Sequence, residues 1–258
     1  MLRRLVALLA AASLLAATGC GSASEAAPGK SGLSGTLTVS AAASLTETFT
    51  ALGDSFMADN PGVDLKFNFG ASSALAQQIT DQAPVDVFAS ADEKTMKTVS
   101  DASDSPLDPE VFVTNVLVIA VPKGNRAGVT DLRDFADEQK KIALCAAEVP
   151  CGAAAQTVLD RAGVTPQPDT LEKDVKAALA KVKLNEVDAA LVYRTDALAA
   201  KDSVDMLEFP QSSAAVNKYP IAALPESQNP DAAKAFVEYI MSPAAREVFD
   251  DAGFQPPS

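Results

Sequence analysis

The chain has 258 residues, 48% hydrophobic and 21% charged, with a formal charge of −13. That acidity argues against nucleic acid as a partner, because phosphate binding wants a basic patch. Histidine and tryptophan are absent, which removes Ser-His-Asp and Cys-His catalysis and the commonest transition-metal ligand.

Arg3 and Arg4 precede an apolar run, Leu5 to Ala17, with the length of a signal h-region and too short to span a bilayer comfortably. It ends in Ala17-Thr18-Gly19-Cys20, which resembles a bacterial lipobox, although alanine stands where leucine is commoner. Residues 1–19 thus read as a signal peptide, with cleavage before Cys20 and lipid on its thiol. An ordinary secretory signal is the alternative. Residues 20–35 are rich in Gly, Ser and Ala without apolar periodicity and read as a lipid-anchored tether. Losing Arg3 and Arg4 with the signal takes the formal charge from −13 to −15. About 220 residues remain, enough for one large domain or two lobes.

The body alternates strand and helix. Thr36 to Ala41 is a strand. Ser44 starts a helix with Glu47 three residues on, the spacing of a capping box. That helix runs from Leu45 to Asp59 on Phe49, Leu52 and Phe56, and Asn60-Pro61-Gly62 stops it. Val63 to Phe69 is a second strand, Ala74 to Gln82 a helix, Val85 to Ala89 a third strand and Asp92 to Ala102 a helix. This β-α-β-α-β-α order predicts a parallel sheet with helices on its faces.

Val111 to Val121 is eleven residues long, more than an ordinary strand, and suits a strand that leaves one lobe and enters another. A second series follows: helix Asp131–Asp137, strand Lys141–Cys145, helix Gly152–Ala162 closed by Gly163, helix Asp174–Asn185 with Asp174 as N-cap, strand Val187–Tyr193, short helix Thr195–Ala200 and returning strand Val204–Phe209. Tyr219 to Leu224 is a strand back in the first lobe. Asn229-Pro230 and Ser242-Pro243 open the last two helices with a cap and an N1 proline. The expected fold is α/β with two lobes, each a mostly parallel sheet flanked by helices, and the ligand in the cleft between them. Lobe 1 takes residues 36–117 and 215–258, and lobe 2 takes residues 118–214. Ligands of such sheets bind beyond the strand C-termini, at helix starts.

Two cysteines besides Cys20 remain, Cys145 and Cys151. In an exported protein the pair favours a disulfide, with two free thiols as the alternative. Asp86 and Asp92 hint at a metal, but no histidine or third carboxylate clusters with them, so caps and turns fit better. Arg194 follows Tyr193 on the strand and therefore points the other way, toward solvent or another element.

Ala41-Ala42-Ala43-Ser44-Leu45-Thr46, Phe69-Gly70-Ala71-Ser72-Ser73-Ala74-Leu75-Ala76-Gln77-Gln78-Ile79 and Pro84-Val85-Asp86-Val87-Phe88-Ala89-Ser90-Ala91-Asp92 resemble segments of the molybdate-binding proteins of bacterial ABC importers. So do Val149-Pro150-Cys151-Gly152 and Val192-Tyr193-Arg194-Thr195-Asp196-Ala197. The resemblance runs in order from Thr36 to Phe254. It implies a periplasmic-binding-protein-like fold that holds a tetrahedral oxyanion with neutral donors. Carried over, these are the hydroxyls and backbone N–H groups of Ser44 and Ser72, the backbone N–H groups of Cys151 and Val175, and the hydroxyl of Tyr193. The family usually has alanine where this chain has Cys151.

The resemblance further implies no catalysis, no cofactor and no bound metal cation. Its ligand is molybdate or tungstate, and its partner is a membrane permease driven by a cytoplasmic ATPase. The expected protein is a monomer outside the cytoplasmic membrane, lipid-anchored to its outer face. Binding another oxyanion, sulfate above all, is one rival reading, and a serine hydrolase is the other. Lys94 and Lys97 lie on a helix, but no Ser-x-x-Lys opens one at a pocket.

The anchor has a direct test. Mass spectrometry of the mature protein is expected to show an N-terminal Cys20 carrying acyl groups, and an unmodified N-terminus removes the anchor.

Overall fold

The computed structural model describes residues 32–257. The signal peptide, Cys20 and most of the tether lie outside the described residues. The elements in chain order are β1 (Gly35–Ala42), α1 (Thr46–Asp59), β2 (Val63–Gly70), α2 (Ser72–Thr80), β3 (Val87–Ala89), α3 (Glu93–Ala102) and β4 (Glu110–Asn115). They continue with β5 (Leu117–Pro122), β6 (Ile142–Cys145), α4 (Pro150–Ala162), β7 (Thr170–Glu172), α5 (Val175–Lys183), β8 (Ala189–Tyr193), α6 (Arg194–Ala199) and β9 (Val204–Leu207). The chain closes with β10 (Asn217–Ala223), α7 (Pro230–Ile240) and α8 (Pro243–Asp251). No helix among the described residues is long and apolar enough to cross a membrane.

Two five-stranded sheets organise these elements, in the orders β2-β1-β3-β10-β4 and β7-β6-β8-β5-β9. Each has a parallel half, β2-β1-β3 and β7-β6-β8. Each also contains one reversed strand, β10 in the first and β5 in the second, paired antiparallel on both sides. The fourth position is the reversed one in both sheets, and these two strands are the ones that directly follow a crossing between lobes.

The eleven-residue run divides. Val116 belongs to neither strand, and β4 and β5 on either side of it belong to different sheets. A single strand cannot serve two sheets with separate twists, so the ladder breaks where the chain passes over. Asn115 secures the break: its Oδ1 accepts from Val116 N–H at 3.0 Å, and its Nδ2 donates to Thr195 Oγ1 at 2.9 Å. The return passage uses a 3-10 turn at Pro210–Ala214, so β9 ends at Leu207, before the predicted Phe209. β7 is a three-residue edge strand that sequence patterning did not reveal.

The two cores differ in chemistry. Phenylalanine dominates the first: Phe49 on α1 is fully buried, with ring centroids 6.1 Å from Phe67, 5.8 Å from Phe112, 6.1 Å from Phe236 and 6.2 Å from Phe249. The second is mainly aliphatic, with Ile119, Ile142, Val158, Val182 and Val192 all fully buried. Phe49→Ala leaves a large void under four rings. It is expected to destabilise the protein by about 3–5 kcal/mol, measured by chemical denaturation.

Candidate functional site

The C-terminal ends of the strands deliver four helix starts to one place. Beyond β1 the chain makes a 3-10 turn at Ala43–Leu45 before α1. Beyond β2, Ala71 leads directly into α2 at Ser72. In the other lobe α4 starts with Pro150 and Cys151 after β6, and α5 starts with Val175 after β7. Between them lies a small cavity lined by Ser44, Ser72, Cys151, Val175 and Tyr193, with Ala43 and Ala91 among its small neighbours. All five residues that the resemblance selected therefore border one space.

The cavity volume is about 20 Å³. One water needs roughly 10–15 Å³ and organic ligands fill pockets of roughly 300–1,000 Å³, so the space suits a small inorganic ion. A larger depression of about 310 Å³ beside Ile79 and Leu107 lies away from these helix starts, and one of about 230 Å³ reaches Ser44, Glu47 and Thr48 at the start of α1 but none of the other four residues.

Each lining donor is prepared. Ser72 Oγ accepts the Ala91 N–H at 2.9 Å, which occupies a lone pair and leaves its proton to give. Ser44 Oγ lies 2.9 Å from Tyr219 Oη. The Tyr193 hydroxyl is buried next to that of Tyr219 and makes no hydrogen bond of good geometry with the protein. Burial pushes its pKa well above the ordinary tyrosine value, so it stays protonated and can donate. In α4 the N–H groups of Gly152 and Ala153 both go to the Val149 carbonyl, while Cys151 N–H has no carbonyl one turn back to accept it. The turn carrying Cys151 is tight. A Cβ on Gly152 would sit 1.8 Å from the Ala146 carbonyl oxygen, and a Cys145–Cys151 disulfide joins its two ends. Asp174, which also borders the cavity, turns its carboxylate to cap α5 at Ala177 N–H, 2.8 Å away.

The structure corrects three local expectations. Ser44 and Glu47 form no capping box. The chain enters α1 through the 3-10 turn with no side-chain cap, and both side chains have other partners, Tyr219 for Ser44 and Lys176 for Glu47. Asn229 starts α7 but does not cap it, because its amide donates to the Ser34 and Thr36 carbonyls. Arg194 is the first residue of α6, not a strand residue, and it pairs with Glu208. Asp86 and Asp92 take backbone donors: Asp86 accepts from Thr38 N–H at 2.7 Å, and Asp92 caps α3 at Thr95 N–H, also 2.7 Å. Sequence reading missed Tyr219, fully buried on β10. It carries no local signal, since only the fold brings it to Ser44 across 175 residues of sequence.

It also missed Lys176, next to Val175 on α5. Its ammonium lies 2.7 Å from both Glu47 carboxylate oxygens, on α1 across the cleft. It is also 2.8 Å from Asp196 on α6. The two acids differ: the Glu47 side chain is 54% exposed, whereas that of Asp196 is completely buried. Burial raises the Asp196 pKa to about 6 against the pull of Lys176. Burial also acts to lower the Lys176 pKa, but the two carboxylates outweigh it and the net shift is upward.

This triad makes a graded prediction. Glu47→Gln removes a solvent-screened pair and is expected to cost about 0.2–1 kcal/mol of stability. Lys176→Met leaves a buried carboxylate unpaired and is expected to cost about 3–5 kcal/mol at pH 8. The second loss shrinks as pH falls, because a protonated Asp196 carries no charge to leave unpaired. Denaturant titrations at pH 8 and pH 5 check both the order and the trend.

Residues 37–255 match the family model of bacterial extracellular solute-binding proteins. The molybdate-binding protein ModA of Mycobacterium tuberculosis H37Rv is 38% identical over 221 residues, spanning 86% of this chain and 85% of that one. The periplasmic molybdate-binding protein of Azotobacter vinelandii superposes with a TM-score of 0.75 at 20% identity, over 86% of this chain and all of that one. The sulfate-binding protein SubI of M. tuberculosis superposes almost equally, with a TM-score of 0.74 at 19% identity over 86% of each chain. The fold alone therefore does not separate the two oxyanions. Sequence, fold and the placement of the cavity agree that this chain belongs to the family of bacterial extracellular solute-binding proteins.

Proposed function

We propose that the protein captures molybdate, and tungstate with it, as a dianion in the cavity between its lobes and hands it to an ABC permease. The observation that carries this reading is the convergence of five neutral donor residues from two lobes on a space of ion size. Molybdate is fully deprotonated at neutral pH, so it accepts hydrogen bonds and donates none, and an all-donor site recognises that state. The ligands would be the hydroxyls and N–H groups of Ser44 and Ser72, the N–H groups of Cys151 and Val175, and the Tyr193 hydroxyl. Hydrogen bonds to a charged acceptor contribute about 1.5–3 kcal/mol each. Helix N-termini add favourable potential. Together these offset the desolvation of the ion and the repulsion of an acidic body. The 38% identity to a molybdate-binding protein supports molybdate over sulfate, and cavity size is the physical means of choosing.

The rest of the reading follows. Residues 36–117 with 215–258 form one jaw and residues 118–214 the other. Cys20 carries lipid and holds a monomer at the outer face of the cell membrane. No chemistry is done on the ion, and no catalytic residue or cofactor is involved.

Calorimetric titration with molybdate, tungstate, sulfate and phosphate tests the assignment. Molybdate and tungstate are expected to bind much more tightly than sulfate or phosphate. Ser72→Ala is expected to weaken molybdate by about 1–3 kcal/mol. Sulfate binding tighter than molybdate overturns the choice of ion, and a silent Ser72→Ala misplaces the site.

A further inference from the structure

Ser44 differs from the other donors in what stands behind it. Ser72 has a backbone N–H filling its acceptor side. Ser44 has a second hydroxyl, Tyr219 Oη, at 2.9 Å. Tyr219 is fully buried and lies on β10, which pairs with β3 and β4. It is not among the residues lining the cavity and stands behind Ser44. Its ring meets Tyr193 edge-on at 6.0 Å and Phe254 at 5.6 Å, which fixes the phenol in place.

We propose that Tyr219 is a positioning residue for oxyanion capture: its hydroxyl donates to Ser44 Oγ, so that the Ser44 proton is turned into the cavity. Either oxygen of the pair can donate; acidity favours the phenol as donor and the alcohol as acceptor, and Asn115 and Tyr193, which also face the Tyr219 hydroxyl, can serve its acceptor side. A dianion in the cavity reinforces it by drawing the Ser44 proton outward. Two hydroxyls in series polarise each other, so Ser44 becomes a stronger donor than an isolated serine. Both serines then follow one rule, with an interior donor occupying a lone pair and the proton left for the ligand. The inference rests on the oxyanion reading above and adds a residue outside the cavity lining to it.

A double-mutant cycle tests it on the full-length protein, read by calorimetry with sodium molybdate and by thermal melting. Tyr219→Phe is expected to lower affinity about 3–10-fold. In a Ser44→Ala background the same change is expected to have almost no further effect, because there is no hydroxyl left to orient. In a Ser72→Ala background it keeps its full effect. A loss that is equally large without Ser44 marks a general packing role and overturns the inference. A second variant leaves the ring in place: 3-fluorotyrosine at position 219 is a stronger donor and is expected to tighten binding, and an unchanged or weaker affinity counts against the relay. An unsubstituted protein that binds no oxyanion removes the function and the inference together. One that binds molybdate while the cycle is additive removes the inference alone.

Discussion

A doubly charged ion taken from water into a protein must find replacements for its whole hydration shell. This acidic chain offers it no cation among the residues lining the cavity. Only local dipoles remain, and they act when they converge. The architecture serves that requirement. Parallel βα units turn at the same end of each sheet, so the helix starts after β1, β2, β6 and β7 can face one point. Small residues at those turns, Ala42, Ala43, Gly70 and Ala71, let backbone N–H groups come close. The disulfide at Cys145–Cys151 and the tight approach at Gly152 hold one of the turns in shape.

The lobes are coupled by different means at the hinge and at the mouth. At the hinge, Asn115 and Thr195 share a hydrogen bond, and Arg194 N–H donates to the Val116 carbonyl at 2.9 Å. Near the mouth, Lys176 reaches over to Glu47 while keeping Asp196 beside it. The buried carboxylate gives Lys176 a standing partner within its own lobe. The exposed one crosses the cleft, where a screened pair is worth little and can be broken without a large cost. A binding protein has to release its cargo, and a weak closing contact is compatible with that need. The ammonium also lies one residue from the proposed Val175 donor, yet it is paired with two carboxylates and is not among the residues lining the cavity.

Much of the fold was legible in the chain because it rests on local pattern. Apolar spacing placed α1, and the Asp92, Asp174 and Ser242 caps stand where sequence placed them. The long run through Val116 betrayed a crossing, although not the break in its ladder. The five lining residues were reached through motif resemblance; composition and periodicity alone do not distinguish Val175 from any first-turn residue. Local reasoning failed wherever a partner came from afar. Ser44 and Glu47 have capping-box spacing, but Tyr219 and Lys176 compete for their side chains from distant sequence, and tertiary contacts override a cap worth about 1 kcal/mol. The strand end at Tyr193 was legible, but Arg194 was oriented as if it continued the strand, whereas α6 already begins at Arg194.

The central claim is that a molybdate ion sits between the two lobes and touches only neutral donors. Anomalous diffraction at the molybdenum edge, from crystals grown with molybdate, tests this directly. The account predicts one anomalous peak surrounded by Ser44, Ser72, Cys151, Val175 and Tyr193, with no carboxylate or lysine ammonium in contact. A peak elsewhere on the molecule, or one coordinated by Glu47, Asp174 or Lys176, contradicts it.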